Sequence, residues 1–462
     1  MRLAAPSEPT PRFLNPCDVG ITRSMQTIAA VESADAAVPV RRNPAFRLLL
    51  RASSVSMLGS HVTSIAYPLL VLRLTGSPFE AGWVAFAAIA PSLLVHVPAG
   101  ALVDRWDPRR AMLVSEIGRG IAIAAVAITL AIGKPSVPLL TAAAVVEGVL
   151  EVFFTLAERR CVGSLVRPDQ VASALVRLEA RTHVMLLAGR PLGGLLFGIE
   201  PIMPFGADVG SFIYSVIALF RLKRRWPVDG KAKVRREQKS GNRLRDDIWN
   251  GMSRLRQDRF ACIMIIAFSA GTLIFQALIM VFLADAHVQK LSALAIGMVL
   301  AASGVGGALG SAAASRLLSR ITYPWIRLQT LIWFLGFAFL ALLVRRQVIL
   351  MATVMTVLGF TGAMGNIELD THLMRNFDKD MLARVTSVSR LMALIACAVG
   401  PVLGGSLVQE FGTDGAMTCL FPITLTLPLL AIIAPVADRA RSQSLERHEV
   451  AVSDAPVPVG QS

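Results

Sequence analysis

The sequence predicts an all-α membrane protein with twelve transmembrane helices in two pseudo-symmetric six-helix halves. Three observations support this fold class. Apolar runs of about 20 residues, the length that crosses roughly 30 Å of hydrocarbon, recur along the chain. A strongly basic segment divides these runs six and six, and the two groups resemble each other at a fixed offset. The composition agrees, since 54% of the 462 residues are hydrophobic and only 17% are charged.

The predicted spans are the apolar runs that lie between short polar or basic segments. Each is long enough to cross the hydrocarbon core once. In chain order they cover residues 48–72, 80–103, 111–132, 138–157, 182–199, 204–220, 262–284, 294–317, 325–343, 348–369, 385–408 and 417–436.

The spans divide the chain into five regions. Residues 1–45 are rich in proline and are expected to form a disordered cytoplasmic tail rather than a signal peptide, with Met25 as an alternative first residue. Residues 46–220 and 260–436 form the two six-helix halves. Residues 221–259 form a basic cytoplasmic linker, and residues 437–462 form a second cytoplasmic tail.

The distribution of charge predicts the orientation. Arginine and lysine are concentrated in alternate loops, and by the positive-inside rule these loops face the cytoplasm together with both termini. The linker holds 14 basic and five acidic residues and so supplies +9 of the net charge of +15. A segment that lies against anionic lipid explains this charge better than nucleic-acid binding, because no aromatic platform accompanies it. We expect a monomeric, multi-pass protein of a bacterial inner membrane.

An internal repeat relates the two halves at an offset of 211 residues. This offset aligns Gly100 with Ser311 and Gly148 with Gly359. Small residues allow helices in membranes to approach closely, so the aligned glycines of the fifth and eleventh spans are expected to be packing positions. They are Gly189, Gly193 and Gly194 in the first half, and Gly400, Gly404 and Gly405 in the second.

The segment between the second and third spans carries a dense group of charges. Gly100 is followed by Asp104, Arg105 and Arg109. Gly100 is expected to let one helix end pack closely on a neighbour, and the charges mark the end of the hydrocarbon. The spacing resembles the loop signature Gly-x-x-x-Asp-Arg-x-Gly-Arg-Arg of the major facilitator superfamily, with departures at positions 107 and 108. The resemblance implies a latch formed by these four residues, and an ordinary basic loop end is the alternative reading.

Further stretches resemble the drug-antiporter branch of this superfamily, which includes macrolide, tetracycline and enterobactin exporters. They lie at residues 57–78, 165–174, 189–194 and 382–388. The resemblance implies a site between two parallel halves, alternating access, and export of a small amphipathic or hydrophobic compound in exchange for protons. Two departures affect the expected coupling machinery: Arg190 replaces the first proline of a Gly-Pro-Pro pattern, and Thr155 stands where relatives often carry an acid.

Charged residues inside the spans are functional candidates, because an ionisable group in hydrocarbon is costly without a partner or a cavity. Glu147 and Glu151 lie one helical turn apart, as a proton-exchanging pair requires. The alternative is a structural ion pair of Glu151 with Arg119 or Arg190. Asp208 matches an acid of the relatives, or it caps a helix end. Glu116 is expected to pair with Arg119 three residues later.

The first span is too polar to face lipid on every side. Ser56, Ser60, Thr63 and Tyr67 follow the three-and-four spacing of one helical stripe, together with Ser53 and Ser64. We expect this stripe to face the central cavity. Asn366 in the tenth span is a further cavity candidate.

No motif of the sequence predicts catalysis. There is no nucleophile elbow or phosphate loop, and the five cysteines lack metal-ligand or disulfide spacing, so we expect neither enzyme activity nor a metal or cofactor. The expected partners are a small-molecule substrate, protons and the lipid bilayer. Three alternatives remain open: a siderophore or lipid transporter of the same fold, an uncoupled facilitator, and a transport-inactive membrane interaction protein.

Overall fold

A computed structural model describes residues 43–222, 259–317, 336, 348–377 and 379–453. Within these residues the chain forms ten α-helices, one 3-10 turn (Pro168–Gln170) and no strand. The helices are α1 (Pro44–Thr75), α2 (Pro78–Val103), α3 (Pro108–Ala131), α4 (Val137–Leu165), α5 (Val171–Ile199), α6 (Met203–Leu222), α7 (Arg259–Val288), α8 (Ala293–Leu317), α9 (Val348–Asn376) and α10 (Lys379–Ser453).

Several predicted regions lie outside the described residues. They are residues 1–42 of the first tail, residues 223–258 of the linker, the predicted ninth span (325–343) apart from Gly336, and residues 454–462. The described helices provide ten apolar stretches that are long enough to cross a membrane. The prediction of an all-α, multi-pass membrane protein is therefore confirmed.

The longest helix, α10, contains a break at Gly412. The backbone there has φ 70° and ψ 178°, so two helices meet at this glycine. A positive φ is accessible to glycine without the steric cost that a Cβ would add. The predicted eleventh and twelfth spans lie on opposite sides of this break.

Polar caps and prolines define the helix starts in the first half. Asn43, Ser77 and Asp107 each accept a backbone N–H bond from the first turn of the helix that follows, and each directly precedes a proline. Gly76 ends α1 in the left-handed conformation, with φ 67°. The resulting connection between α1 and α2 is only two residues long, which makes these helices antiparallel neighbours.

Glycine contacts repeat between the two halves with a consistent shift. A Cβ on Gly148 would overlap the carbonyl oxygen of Ala88, and a Cβ on Gly359 would overlap that of Ser303. The α2–α4 contact therefore recurs as α8–α9. Likewise Gly193 of α5 lies against α1 at Val62, and Gly404 of α10 lies against α7 at Ala277. Close backbone approach at small residues is the expected mode of helix packing in membranes.

These contacts correct part of the predicted repeat. The offset is 211 for the glycines of α4 and α5. The residues that these glycines contact are 215 positions apart, both for Val62 and Ala277 and for Ala88 and Ser303. In this register Ser311 corresponds to His96, so the alignment of Gly100 with Ser311 is wrong. The error is four residues, about one helical turn. Small residues on one face of a helix recur at nearly this interval, so a shift of one turn still aligns them.

The two halves meet along two helix pairs, α2 with α10 and α5 with α8. Gly405 lies against Pro78, and Gly194 lies against Ala293. We call the end at which α1 meets α2 the outer end, following the orientation that the loop charges predict. Among the described residues, every glycine contact between the halves lies in the outer half of its helix, and the Ser77 hydroxyl also contacts Gln409 there at 3.2 Å.

Candidate functional site

The polar stripe of α1 lies against charged groups of the first half. Five of its six members contact a neighbouring helix, and Ser53, Ser56 and Thr63 are buried. In order along α1, Ser53 contacts Arg181, Ser56 contacts Glu116, Ser60 contacts Arg119, Thr63 contacts Asp208, and Tyr67 packs edge-on against Phe205. Ser64, by contrast, is exposed and donates to the backbone of its own helix. The stripe thus connects α1 to α3, α5 and α6.

Arg119 of α3 lies at the centre of this polar region. Its Nη2 is 3.6 Å from Glu147 Oε1 on α4 and donates to the Ser60 hydroxyl at 2.5 Å. The guanidinium also stacks over the Phe212 ring, 4.8 Å from the centroid. The Arg119 and Glu147 side chains are only 3% and 11% exposed. The pair is therefore protected from the solvent screening that weakens surface ion pairs.

Asp208 of α6 is fully buried beside this pair. Its Oδ2 accepts from the Thr63 hydroxyl at 3.0 Å, and its Oδ1 accepts from the Ser211 hydroxyl at 2.9 Å. The alternative that Asp208 caps a helix end is wrong, because the residue lies five positions inside α6 and bonds to another helix. Asp208, Arg119 and Glu147 form a central cluster contributed by α3, α4 and α6.

Glu116, one turn before Arg119, does not form the expected local ion pair. Its two carboxylate oxygens instead accept from the Ser56 hydroxyl at 2.9 and 3.1 Å. Glu116 is fully buried, so its position depends on this bond to α1. A hydroxyl donor partly replaces the lost hydration of a buried carboxyl group.

Glu151 occupies a different environment from Glu147. It lies on the face of α4 that also carries Glu147, Phe154 and Glu158, which are buried, yet Glu151 itself is exposed. Among the described residues Glu151 forms no ion pair, so the structure pairs Arg119 with Glu147 and the alternative of an ion pair at Glu151 is wrong. Glu151 is nonetheless near enough to act electrostatically on Arg119. It therefore faces open space beside the central cluster.

Arg190 of α5 lies apart from this cluster, where the two halves meet. Its backbone oxygen is close to Gly297 of α8, and its guanidinium is near enough to Cys397 of α10 and His61 of α1 to interact with both electrostatically. Arg190 is only partly buried. Within the described part of the chain no carboxylate pairs with it.

The loop between α2 and α3 is tied to two other helices of the first half. Asp104 pairs with Arg160 of α4 at 3.1 Å. Arg109 is buried, and its Nε donates to the backbone oxygen of Leu219 at the end of α6 at 2.9 Å. Both partners lie in the same half, so the described contacts make this loop an internal clamp.

The other two members of the predicted latch make no such contact. Arg105 is exposed. A Cβ on Gly100 would meet no atom within 4 Å, so the expectation that Gly100 permits close helix packing is wrong. The contacts of this loop therefore come from its charged residues Asp104 and Arg109.

A second buried charge pair was missing from the sequence-based prediction. Arg181 of α5 donates twice to Glu158 of α4, at 2.6 and 3.1 Å, and also contacts the Ser53 hydroxyl. The predicted spans ended at residue 157 and began at residue 182, which assigned both residues to loops. The signal was present in the sequence, because Glu158 lies seven residues after Glu151 and therefore on the same helical face.

The remaining candidate, Asn366 of α9, is exposed. The central cluster and the Glu158–Arg181 pair all lie in the first half. Among the described residues, the buried ionisable groups are thus distributed unequally between the two halves, although the helix contacts of the first half recur in the second.

Comparisons with known proteins agree with this architecture. The Major Facilitator Superfamily matches residues 49–398. A multidrug efflux pump Tap of Mycolicibacterium fortuitum is 25% identical over 86% of this chain and 97% of its own length. A protein of the same name from Mycobacterium tuberculosis (strain ATCC 25618 / H37Rv) is 28% identical over 85% of this chain and 94% of its own length.

Solved structures show the same fold at low sequence identity. The nucleoside transporter NupG superposes with a TM-score of 0.66 at 13% identity, covering 85% of this chain and 98% of that one. A bacterial homologue of the iron transporter ferroportin, in an inward-facing state, gives a TM-score of 0.65 at 15% identity and covers 84% of this chain and 98% of that one. The family match and the relatives named as efflux pumps place the chain among membrane transporters rather than enzymes. The chain belongs to the Major Facilitator Superfamily.

Proposed function

We propose that this chain is a secondary active transporter that exports a small amphipathic or hydrophobic compound in exchange for protons. We further propose twelve spanning helices, cytoplasmic termini and alternating access between two six-helix halves. The relatives named multidrug efflux pumps support export of such compounds. The repeated contacts of α2 with α4 and of α8 with α9 support two equivalent halves.

The observation that carries the proposal is the central cluster together with Glu116, which lies one turn from Arg119 on α3. One guanidinium, Arg119, lies among the buried carboxyl groups of Glu116, Glu147 and Asp208. A single cation cannot neutralise three carboxylates in an apolar interior, and binding a proton is the way an acid avoids an uncompensated charge. The cluster therefore has the composition of a proton-exchanging site.

The exposure of Glu151 gives this site a path to water. Glu151 lies one turn closer to the inner end of α4 than Glu147, and among the described residues the close glycine contacts between the halves lie in their outer portions. A structure closed outside and open inside lets Glu151 exchange protons with the cytoplasm while Glu147 stays buried. Reversal of the closure exposes the cluster to the other side, as exchange of protons for substrate requires.

The internal clamp fits a role in this change. Asp104 and Arg109 hold the inner loop against α4 and α6, which supports movement of these three elements together. Rocking of two rigid halves is the mode of alternating access expected for this architecture.

The proposal is tested in inverted membrane vesicles that contain the protein. Respiration acidifies the vesicle interior, and a pH-sensitive dye reports release of these protons when rhodamine 123 or carboxyfluorescein is added. We expect proton release with at least one of these compounds. The Glu147→Gln variant should show none, whereas Glu200→Gln, which changes an exposed acid in the loop after α5, should behave as the unmodified protein. Accumulation of a compound without proton movement would support the uncoupled facilitator instead.

A further inference from the structure

Arg190 breaks the repeat that the structure otherwise maintains. In the 211-residue register, Arg190 of α5 corresponds to Pro401 of α10, and the neighbouring Gly189 corresponds to Gly400. The backbone contacts at the two positions are equivalent: the oxygen of Arg190 meets Gly297 of α8, and the oxygen of Pro401 meets Gly82 of α2. Since a proline serves this packing role in the second half, the guanidinium of Arg190 is not needed for it.

The surroundings of Arg190 come from both halves of the protein. Arg190 interacts electrostatically with Cys397 of α10 and with His61 of α1. Gln276 of α7 donates to the Cys397 sulfur at 3.2 Å, which extends this polar group to a fourth helix. The His61 Nε2 is buried and has no hydrogen-bond partner among the described residues. The guanidinium therefore lies near groups of α1 and α10, and Gln276 of α7 is bonded to one of them.

The position along α5 is close to the middle of the membrane. Arg190 lies nine residues before Ile199, the last residue of α5. At 1.5 Å per residue this is about 13 Å, close to half of a hydrocarbon core roughly 30 Å thick. Binding sites of transporters built from two halves lie at this depth, at the contact between the halves.

Arg190 also differs from Arg119 and Arg181, the two arginines that form buried ion pairs, because no acid among the described residues pairs with it. Arg119 is paired with Glu147, and Arg181 is paired with Glu158, whereas no described carboxylate pairs with Arg190. A cation in this location is costly without a counter-charge. The missing counter-charge is the property expected of a site that receives an anion from outside the protein.

We propose that Arg190 binds an anionic group of the transported compound. Resting on the proposed function, this makes the preferred substrates amphipathic acids that carry a carboxylate, sulfonate or phosphate. A guanidinium binds such groups through two parallel N–H bonds, and Gln276 and His61 offer further polar contacts nearby. The central cluster handles protons in the first half, and Arg190 handles the substrate charge between the halves.

The test is a binding measurement without any ion gradient. The purified full-length protein is placed in nanodiscs of zwitterionic lipid, and the anisotropy of two dyes with a common xanthene ring is titrated: carboxyfluorescein, which is anionic, and rhodamine 123, which is cationic. We expect the anion to bind at least about tenfold more tightly. Arg190→Gln should remove this preference by weakening only the anion, and Arg190→Lys should retain part of it because the charge remains.

Three results would overturn the proposal. The first is a wild-type protein that binds both dyes equally, prefers the cation or binds neither. The second is an Arg190→Gln variant that loses both dyes to the same extent, which would indicate a structural role. The third arises in nanodiscs that contain phosphatidylglycerol: if this lipid displaces carboxyfluorescein from the wild-type protein, the anion is a lipid headgroup and the assignment to substrate fails.

This experiment separates the inference from the proposed function. If the protein prefers the anion but moves no protons with it, the anion site is supported and proton coupling is contradicted. If the protein exports in exchange for protons but prefers rhodamine 123, the proposed function is supported and the anion site is contradicted.

Discussion

Arg119 on α3 and Glu147 on α4 form an ion pair in the interior of the first half, with Nη2 and Oε1 3.6 Å apart. The pair does not lie alone, because Ser60 and the buried Asp208 are neighbours on α1 and α6. Four helices are thus held together by groups that also have the chemistry for proton exchange. Structure and function are coupled at this point, and substitutions of single residues separate them.

A double-mutant cycle measures the strength of this pair. Arg119→Gln removes the cation that partly compensates the buried acids, which we expect to cost about 3 kcal/mol of stability, and Glu147→Gln removes the ion pair while Glu116 and Asp208 remain near Arg119. The double variant should cost less than the sum of the two, by about 0.5–3 kcal/mol. Unfolding of the detergent-solubilised variants, followed by intrinsic fluorescence, provides the comparison. Additive losses would show that the two side chains do not interact.

Glu151→Gln should impair transport without affecting stability. Glu151 is exposed and forms no ion pair among the described residues, so replacing it removes a proton-exchanging group but no packing contact. We expect proton-coupled export to fall by at least about tenfold, the scale of losing a proton-transfer group. The unfolding midpoint should remain that of the wild type. Wild-type export at every pH tested would exclude Glu151 from coupling.

A matched pair of glycines on α4 tests the helix contacts of the first half. Gly148→Leu places side-chain atoms on the Ala88 carbonyl of α2, whereas a Cβ on Gly163 meets nothing within 4 Å. Overpacking of this kind costs about 1–3 kcal/mol or more. We therefore expect Gly148→Leu to lower thermal stability and expression, and Gly163→Leu to leave both nearly unchanged. Equal sensitivity at the two positions would contradict the α2–α4 packing.

Adjacent arginines test the clamp at the inner end. Arg109 is buried and donates to the last carbonyls of α6, while the Arg110 side chain is 83% exposed. A charged donor at a helix C-terminus stabilises it, and leaving those carbonyls unpaired costs about 1–3 kcal/mol. Arg109→Gln should therefore lower the unfolding midpoint, and Arg110→Gln should not. The reverse order would remove Arg109 from the clamp.

Cysteine crosslinking at the outer end tests alternating access. Ser77 and Gln409 belong to different halves and are in contact at 3.2 Å. In a background lacking native cysteines, Ser77→Cys with Gln409→Cys should react with a short bifunctional crosslinker and stop transport, because the outer side can no longer open. The single variants should transport normally after the same treatment. Transport that survives complete crosslinking would show that this contact need not open.

The sequence alone predicted the polar stripe on α1 but not the groups that it contacts. Spacing reveals a face because the helical repeat is local, and this placed Ser56, Ser60 and Thr63 together. The partners come from α3 and α6, which are far apart in sequence, so their pairing depends on tertiary packing. Asp208 illustrates the difference: it was recognised as an acid near a helix start, but its bond to Thr63 spans 145 positions.

The errors in the prediction have two physical origins. Hydropathy marks where hydrocarbon ends, whereas helices continue beyond it, and α4 therefore extends eight residues past the predicted boundary at 157. Likewise α5 begins at Val171, before the predicted boundary at 182, so hydropathy places both Glu158 and Arg181 outside the spans. The repeat was detected through glycines, whose helical spacing tolerates a slip of one turn, so the register of α4 and α5 was found and that of α2 was not.

The measurement that tests the central claim most directly is transport driven by a proton gradient alone. Purified protein is reconstituted in liposomes, the membrane potential is clamped with valinomycin and potassium, and accumulation of carboxyfluorescein and rhodamine 123 is followed with and without an imposed pH gradient. The account predicts that the gradient accelerates accumulation of at least one dye and that Glu147→Gln abolishes this acceleration. Accumulation that ignores the gradient, or that Glu147→Gln leaves unchanged, would contradict proton-coupled export through the Arg119–Glu147 cluster.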